Sequence, residues 1–267
     1  MFVEKRLETA FRGYRSITDE VKEAVAESGV EEGICTVFLP EEETGLSITS
    51  FWDERGLLDL LDEIERNIPA RVNYKNQFSP FNASGRVKGA VVGRSTTLLI
   101  HGGKLLLGSS QGLVFLEFDG PRERRYCIQV EARKLKLSRH QVNSKYMGMH
   151  DVTPMIRDMV RESGVKEGIC HISQLHSTAG LLLGAASEAE RINIMDDLER
   201  MVPTRADFKH RETASDAGGH VKTAITGSQI SLAVSGGEPV LGEGQAVIFA
   251  EYDGPRPRTY YIGIMDK

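Results

Sequence analysis

Residues 27–45 read ESGVEEGICTVFLPEEETG, and residues 162–180 read ESGVKEGICHISQLHSTAG. The frame is the same, ESGV-x-EGIC and a closing Gly, but only the later stretch carries histidines. Working outward, residues 17–45 lie on residues 152–180, a shift of 135 (152 − 17). Near the ends, Glu117–Ile128 (EFDGPRERRYCI) lies on Glu251–Ile262 (EYDGPRPRTYYI) with eight of twelve residues identical and a shift of 134 (251 − 117). Agreement at both ends implies one unit duplicated, with units expected at 1–134 and 135–267. The junction around residues 132–140, ARKLKLSRH, is short and charged but lacks the Gly or Ser of a flexible linker, so the units should pack closely.

Within each unit the order of elements is readable. An opening strand (Phe2–Phe11; Arg139–Tyr146) precedes a helix for which Thr18 or Thr153 is the expected cap. Pro154 suits the first helical turn, and Gly29 and Gly164 suit its left-handed stop. The EGIC segments read as buried strands, with Cys35 and Cys170 as small core residues rather than reactive thiols. A second helix follows from the spacing of Leu57, Leu58, Leu61 and Ile64, or of Ile192, Met195, Leu198 and Val202, ended by Pro69 or Pro203. The remainder alternates short β-prone runs with Gly and Asp-Gly turns. The fold class is therefore α+β: two tandem units, each a mainly antiparallel sheet with two helices packed on it.

Composition excludes several functions. The 267 residues carry a net charge of −5 with no basic block, which argues against a nucleic-acid partner. No apolar run approaches the roughly 20 residues needed to cross a bilayer, and the first residues lack the apolar core of a signal peptide. Three cysteines do not make a secreted disulfide framework. The expectation is a cytoplasmic protein with no membrane partner.

Six of the seven histidines lie in the second unit. His176, His210 and His220 stand where the first unit has Glu41, Asn76 and Arg86, whereas Lys222 and Lys88, Glu251 and Glu117, and Arg256 and Arg122 agree. Three imidazoles with a nearby carboxylate are what a zinc site with an open position requires. Their wide spacing is equally that of histidines without a shared role. The Asp-Gly-Pro-Arg element is explained by turn chemistry, with Glu251, Arg256 and Arg258 as possible site groups beside it. SDAGGHVK, residues 215–222, reads as a flexible Gly-containing loop, or as an anion-binding approach in which Gly219 exposes backbone N–H and Lys222 adds charge.

At these residues the second unit resembles the YjbQ-like family, often labelled secondary thiamine-phosphate synthase. The resemblance rests on His176–Gly180 (HSTAG), an aspartate-bearing helix at Asp196-Asp197, Phe208-Lys209-His210, Gly219–Lys222, Leu241–Gln245 and Glu251–Arg256. It implies a compact α+β fold, a homo-oligomer (a trimer by preference), and a histidine cluster suited to a metal or an anion. It also implies a weak ability to join a pyrimidine pyrophosphate to a thiazole phosphate. The chain departs from the family pattern at its Asn-Glu pair (Gly184-Ala185; Thr49-Ser50) and at the Trp before the late Gln (Gly244; Ser110).

The leading expectation is one site per chain. His176, His210 and His220 would bind zinc or another divalent metal ion, Glu251 would be a further ligand or an orienting acid, and Lys222 and Arg256 would hold the phosphate of a small phosphorylated metabolite. The alternative is a non-catalytic oligomeric scaffold or small-ligand binder. A third arrangement, a site between units of neighbouring chains, would use Arg86 and Glu41 directly.

Overall fold

The computed structural model describes residues 1–71, 73–75 and 79–267. The first unit runs β1 (Phe2–Glu8), β2 (Tyr14–Ser16), α1 (Thr18–Ser28), β3 (Glu32–Phe38), β4 (Thr44–Thr49), α2 (Glu54–Asn67), α3 (Pro80–Val92), β5 (Ser95–His101), β6 (Lys104–Leu105), β7 (Gly112–Glu117) and β8 (Glu123–Ala132). The second repeats the order as β9 (Leu135–Asn143), β10 (Met149–Asp151), α4 (Thr153–Ser163), β11 (Glu167–Gln174), β12 (Ala179–Ala185), α5 (Glu188–Met201), α6 (Asp216–Thr226), β13 (Gln229–Ser235), β14 (Glu238–Pro239), β15 (Gln245–Glu251) and β16 (Pro257–Asp266).

Each unit has a five-stranded and a three-stranded sheet, β1-β8-β3-β5-β6 with β2-β7-β4, and β9-β16-β11-β13-β14 with β10-β15-β12. Every strand pairing is antiparallel. The five-stranded sheet buries alternate residues, as in β8, because only one of its faces meets the unit's own core. The three-stranded sheet is the middle layer, so β7 is buried along its whole length. Leu113 and Phe115 face the first core with Ile17, Val21, Cys35 and Ile128. Val114 and Leu116 face the other way, toward the helices. Cys35 and Cys170 are fully buried, and burial pushes both thiols up to about 12, as expected of inert core residues.

The architecture is the expected α+β arrangement, with details that differ. The first helices stop at Gly29 and Gly164 with φ of 65° and 70°. Thr18 and Thr153 do not cap; they are the first helical residues. Their hydroxyls instead accept the N–H groups of Leu113 (2.9 Å) and Val247 (2.8 Å), fastening each helix to the middle sheet. The opening strands end at Glu8 and Asn143, and the second begins at Leu135, so only Arg133 and Lys134 separate β8 from β9. Leu58 and Ile192 are exposed, while Leu60 is buried in the place the spacing gave to Leu58.

The larger difference is a third helix in each unit. SDAGGHVK is not a loop; from Asp216 it forms the first turns of α6. Two adjacent glycines lower intrinsic helix propensity, which is why the segment reads as a loop. Packing requires them: a Cβ on Gly218 would lie 3.0 Å from Thr204 Cα, and one on Gly219 3.2 Å from the Thr178 side chain. The units are joined by a shared core, where Leu57, Leu60, Leu61 and Ile64 of α2 meet Ala217, Val221 and Ala224 of α6 with Val202 and Phe208. This core brings α2 of the first unit against the histidine-bearing segment of the second.

Candidate functional site

Because α6 is helical, Asp216 and His220 are four residues apart on one face. His210, in the segment between α5 and α6, joins them: one ligand atom from each of His210, Asp216 and His220 lies within 4.8 Å of the others. The rings of His210 and His220 have centroids 5.3 Å apart.

Hydrogen bonds fix how the rings present themselves. His220 Nδ1 lies 2.9 Å from the Ser177 carbonyl and must donate to it, leaving Nε2 as the acceptor. His210 Nδ1 donates to the Asp53 carboxylate, which stands at the N-cap of α2 in the first unit. The His210 main chain is held as well, its N–H donating to Asp59 Oδ2 at 2.8 Å. What remains is His210 Nε2, buried and without a hydrogen bond. Asp216 Oδ2 lies 2.9 Å away but outside hydrogen-bond alignment. A ring lone pair facing a carboxylate oxygen is repulsive; a proton on Nε2, pairing the ring with Asp216, or a metal cation between them removes the repulsion.

The surrounding carboxylates favour a positive charge at His210. Burial opposes a charge on His210, but the Asp53 hydrogen bond and the nearby Asp216 carboxylate outweigh it and raise its pKa. The Arg55 and His210 hydrogen bonds hold Asp53 well below the usual carboxylate range. Burial depresses His220 despite its bond to the Ser177 carbonyl. His176 falls to about 4 through burial and the Arg258 charge.

Beside the cluster is a cavity of about 240 Å³ lined by His176, Ser177, Thr178, Asp216, His220 and Asp253, by Arg256 and Arg258, and by Trp52 and Ser110 of the first unit. His176 Nε2 accepts the Thr259 N–H at 2.7 Å. It therefore shares the cavity but stands outside the His210–Asp216–His220 group. Arg256 is half-exposed and pairs with Asp253 at 2.8 Å. Arg258 is buried against Glu251, with two contacts of 2.5 Å, and also donates to Thr178 Oγ1 at 2.9 Å.

Other residues singled out from the sequence lie elsewhere. Glu251 is fully buried, and beyond Arg258 it accepts Ser144 Oγ at 2.6 Å and the Asp253 N–H at 2.8 Å. It does not line the cavity but holds an arginine that does. Lys222 is also fully buried, with Nζ 2.8 Å from both Glu199 and Thr204 and away from the cavity. The first unit repeats both arrangements, as Glu117–Arg124 at 2.7 Å and Lys88–Glu65 at 2.5 Å. Gly219 serves the packing of α6. Asp196 and Asp197 are exposed on α5; the carboxylates hydrogen-bonded to His210 are Asp53, at the N-cap of α2, and Asp59 within it.

In the first unit the place of His176, Glu41, pairs with Arg125. Arg86, in the place of His220, pairs with Glu42 at 2.9 Å and Glu43 at 3.2 Å. Asn76, in the place of His210, lies outside the described residues. Asp216 escaped the sequence reading because its segment passed for a loop; its four-residue spacing from His220 was the available signal. Asp53 and Trp52 come from the other unit, where no local pattern points to them.

Comparison with known proteins gives a consistent picture. The family model described as UPF0047 protein YjbQ-like matches twice, over residues 4–133 and 138–267. A UPF0047 protein of Methanocaldococcus jannaschii is 37% identical over 116 residues, covering 43% of this chain and 83% of that protein. One from Archaeoglobus fulgidus is 38% identical over 114 residues, covering 42% of this chain and 86% of the relative. Among solved structures, an uncharacterised YjbQ/UPF0047-family protein from Clostridium acetobutylicum is 35% identical, with a TM-score of 0.47 over 48% of this chain and 99% of that one.

Proposed function

The chain belongs to the YjbQ-like family in both of its units, and from that premise we propose that it binds one divalent metal ion, zinc or an ion with similar demands, at His210, Asp216 and His220, with a small phosphorylated ligand in the adjoining cavity. The observation that carries this reading is the buried, unpartnered His210 Nε2 beside the Asp216 carboxylate. Two imidazoles and a carboxylate suit zinc, and three protein ligands leave a position for water or ligand. When bound, the ion would supply Lewis acidity toward a phosphate oxygen.

The protein's own groups complete the pocket. Arg258, held by Glu251, and the more exposed Arg256 supply guanidinium donors suited to a phosphate. Ser177 and Thr178 add hydroxyls, and Trp52 offers an apolar wall. Glu251 acts through Arg258 rather than on the ligand. The cavity is smaller than the roughly 300–1,000 Å³ of drug-sized ligand sites, which favours a phosphate-bearing head group over two precursors held together. A binding role is thus better supported than the transfer reaction implied by the family resemblance.

Thermal denaturation of the metal-stripped chain tests the reading. Zn²⁺ should raise the melting temperature, and inorganic phosphate should raise it further only when Zn²⁺ is present, since ligands of the native state stabilise it by mass action. Neither effect should survive in His220→Ala. Absence of any rise with Zn²⁺ would overturn the proposal. Incubation with both thiamine-phosphate precursors separates enzyme from binder: product above the His220→Ala level establishes catalysis, and its absence leaves a binding protein.

A further inference from the structure

The two units have diverged in opposite directions, and the difference falls on the two sides of one site. The helices α2 and α5 are equivalent, each 14 residues long and 134 positions apart (188 − 54). On α2, Asp53 and Asp59 hold the ring and main chain of His210. On α5 the same places hold Ser187 and Asn193, neither able to carry a negative charge. The reverse applies to the imidazoles, because the His220 place in the first unit holds Arg86. One unit thus supplies the carboxylates that hold His210, and the other the imidazoles.

We infer that the proposed metal site is a composite of the two units, in which Asp53 is a positioning residue for His210 and the first unit is a working half of the site rather than an inert copy. The inference rests on the metal-binding reading above. A carboxylate that accepts the far N–H of a ligating imidazole fixes its tautomer and its direction. Asp53 does this across the unit boundary, and its own geometry is set by the Arg55 N–H at 3.0 Å and the Arg55 side chain at 3.1 Å. Asp59, 3% exposed, accepts the N–H groups of Lys209 (2.9 Å) and His210 (2.8 Å), so the segment carrying His210 is tied to α2.

A third contact of the same kind lies at the cavity rim. The first unit's Gln111 donates to the carbonyls of Gln174 and His176, both at 3.2 Å. Its counterpart Gln245 serves only its own turn, accepting the Gly242 N–H at 3.0 Å. Of the two equivalent glutamines, only the one facing the histidine unit reaches into a neighbour. In the reciprocal arrangement, α5 set against a first unit, Ser187 and Asn193 would replace the two carboxylates and Arg86 would replace His220, so the site could not be reproduced.

The test compares the intact chain with Asp53→Asn, Asp53→Glu and Ser187→Ala, each stripped of metal. Zn²⁺ affinity is measured by chelator competition, and Co²⁺ is used as a spectroscopic probe. Asp53→Asn should weaken Zn²⁺ about 10–100-fold and alter the visible Co²⁺ spectrum, while the metal-free melting temperature stays close to that of the parent. Asp53→Glu should recover part of the affinity, and Ser187→Ala should match the parent. If the parent binds Zn²⁺ and Asp53→Asn binds it equally with an unchanged Co²⁺ spectrum, the composite is wrong and the metal-binding reading stands. If Asp53→Asn loses affinity only in proportion to lost metal-free stability, the role is structural and the inference fails. If the parent itself does not bind, the failure belongs to the metal-binding reading.

Discussion

Equivalent places in the two units hold opposite solutions. In the second unit, Thr178, His220, Asp216 and Arg258 surround an open cavity. In the first, Glu43 stands where Thr178 does, and its carboxylate takes up Asn82 Nδ2 at 2.9 Å, Arg86 at 3.2 Å and Arg124 at 3.4 Å. One acidic side chain satisfies the groups that in the other copy face a cavity. Elsewhere the copies agree: the Glu251–Arg258 and Lys222–Glu199 pairs recur as Glu117–Arg124 and Lys88–Glu65. Positions shared by the two units carry the fold, and positions that differ separate a filled pocket from an open one. Buried ions are costly to leave unpaired, so the pairs are kept in both copies.

The largest effects should follow from breaking what is shared. Glu251→Gln should cost about 3–5 kcal/mol, because it strands a buried arginine, and Glu117→Gln less, because Glu43 still reaches Arg124 at 3.4 Å. Urea denaturation should give the larger loss for Glu251→Gln; equal losses would show that Glu43 does not support Arg124. A smaller effect should come from His171, buried between Gln229 Oε1 at 2.9 Å and Ser231 Oγ at 2.8 Å. Burial lowers its pKa from 6.5 to about 4, so the ring is neutral in the folded state. The associated stability is fully present above about pH 6.5 and is lost as the pH falls toward 4. Between pH 7.5 and 5 this amounts to about 2 kcal/mol. In His171→Thr, which installs the first unit's Thr36, that part of the acid sensitivity should vanish from melting curves. The smallest effect should belong to Arg86→Ala. Its guanidinium is half-exposed and buried Glu43 keeps Asn82 and Arg124 without it, so the cost should stay below about 1 kcal/mol, with metal uptake unchanged. A loss of uptake would point instead to a site shared between neighbouring chains.

Much of this fold is legible in the residues themselves. Duplication, the EGIC strands and the stops at Gly29 and Gly164 follow from local spacing and backbone preference. So does the contrast between the histidine-bearing copy and the histidine-free one. Local spacing fails where a distant contact decides. Gly218 and Gly219 look like a loop until Thr204 and Thr178 are seen to press on them. Lys222 and Glu251 look like ligand-binding groups until their partners Glu199 and Arg258 are in place. Asp53 carries no motif at all; its meaning appears only when α2 packs against α6. The one trace it leaves in sequence is that Ser187 occupies its place in the other copy.

The most direct test of the central claim, one metal ion per chain at the second unit's histidines, is elemental mass spectrometry of the purified chain beside Thr178→Glu/His220→Arg. That double variant installs the first unit's residues Glu43 and Arg86 in the second. The parent should carry close to one divalent ion per chain, and the variant should carry none while keeping its fold by circular dichroism. An ion retained in the folded variant, or a parent that holds none after purification and Zn²⁺ loading, would contradict the account.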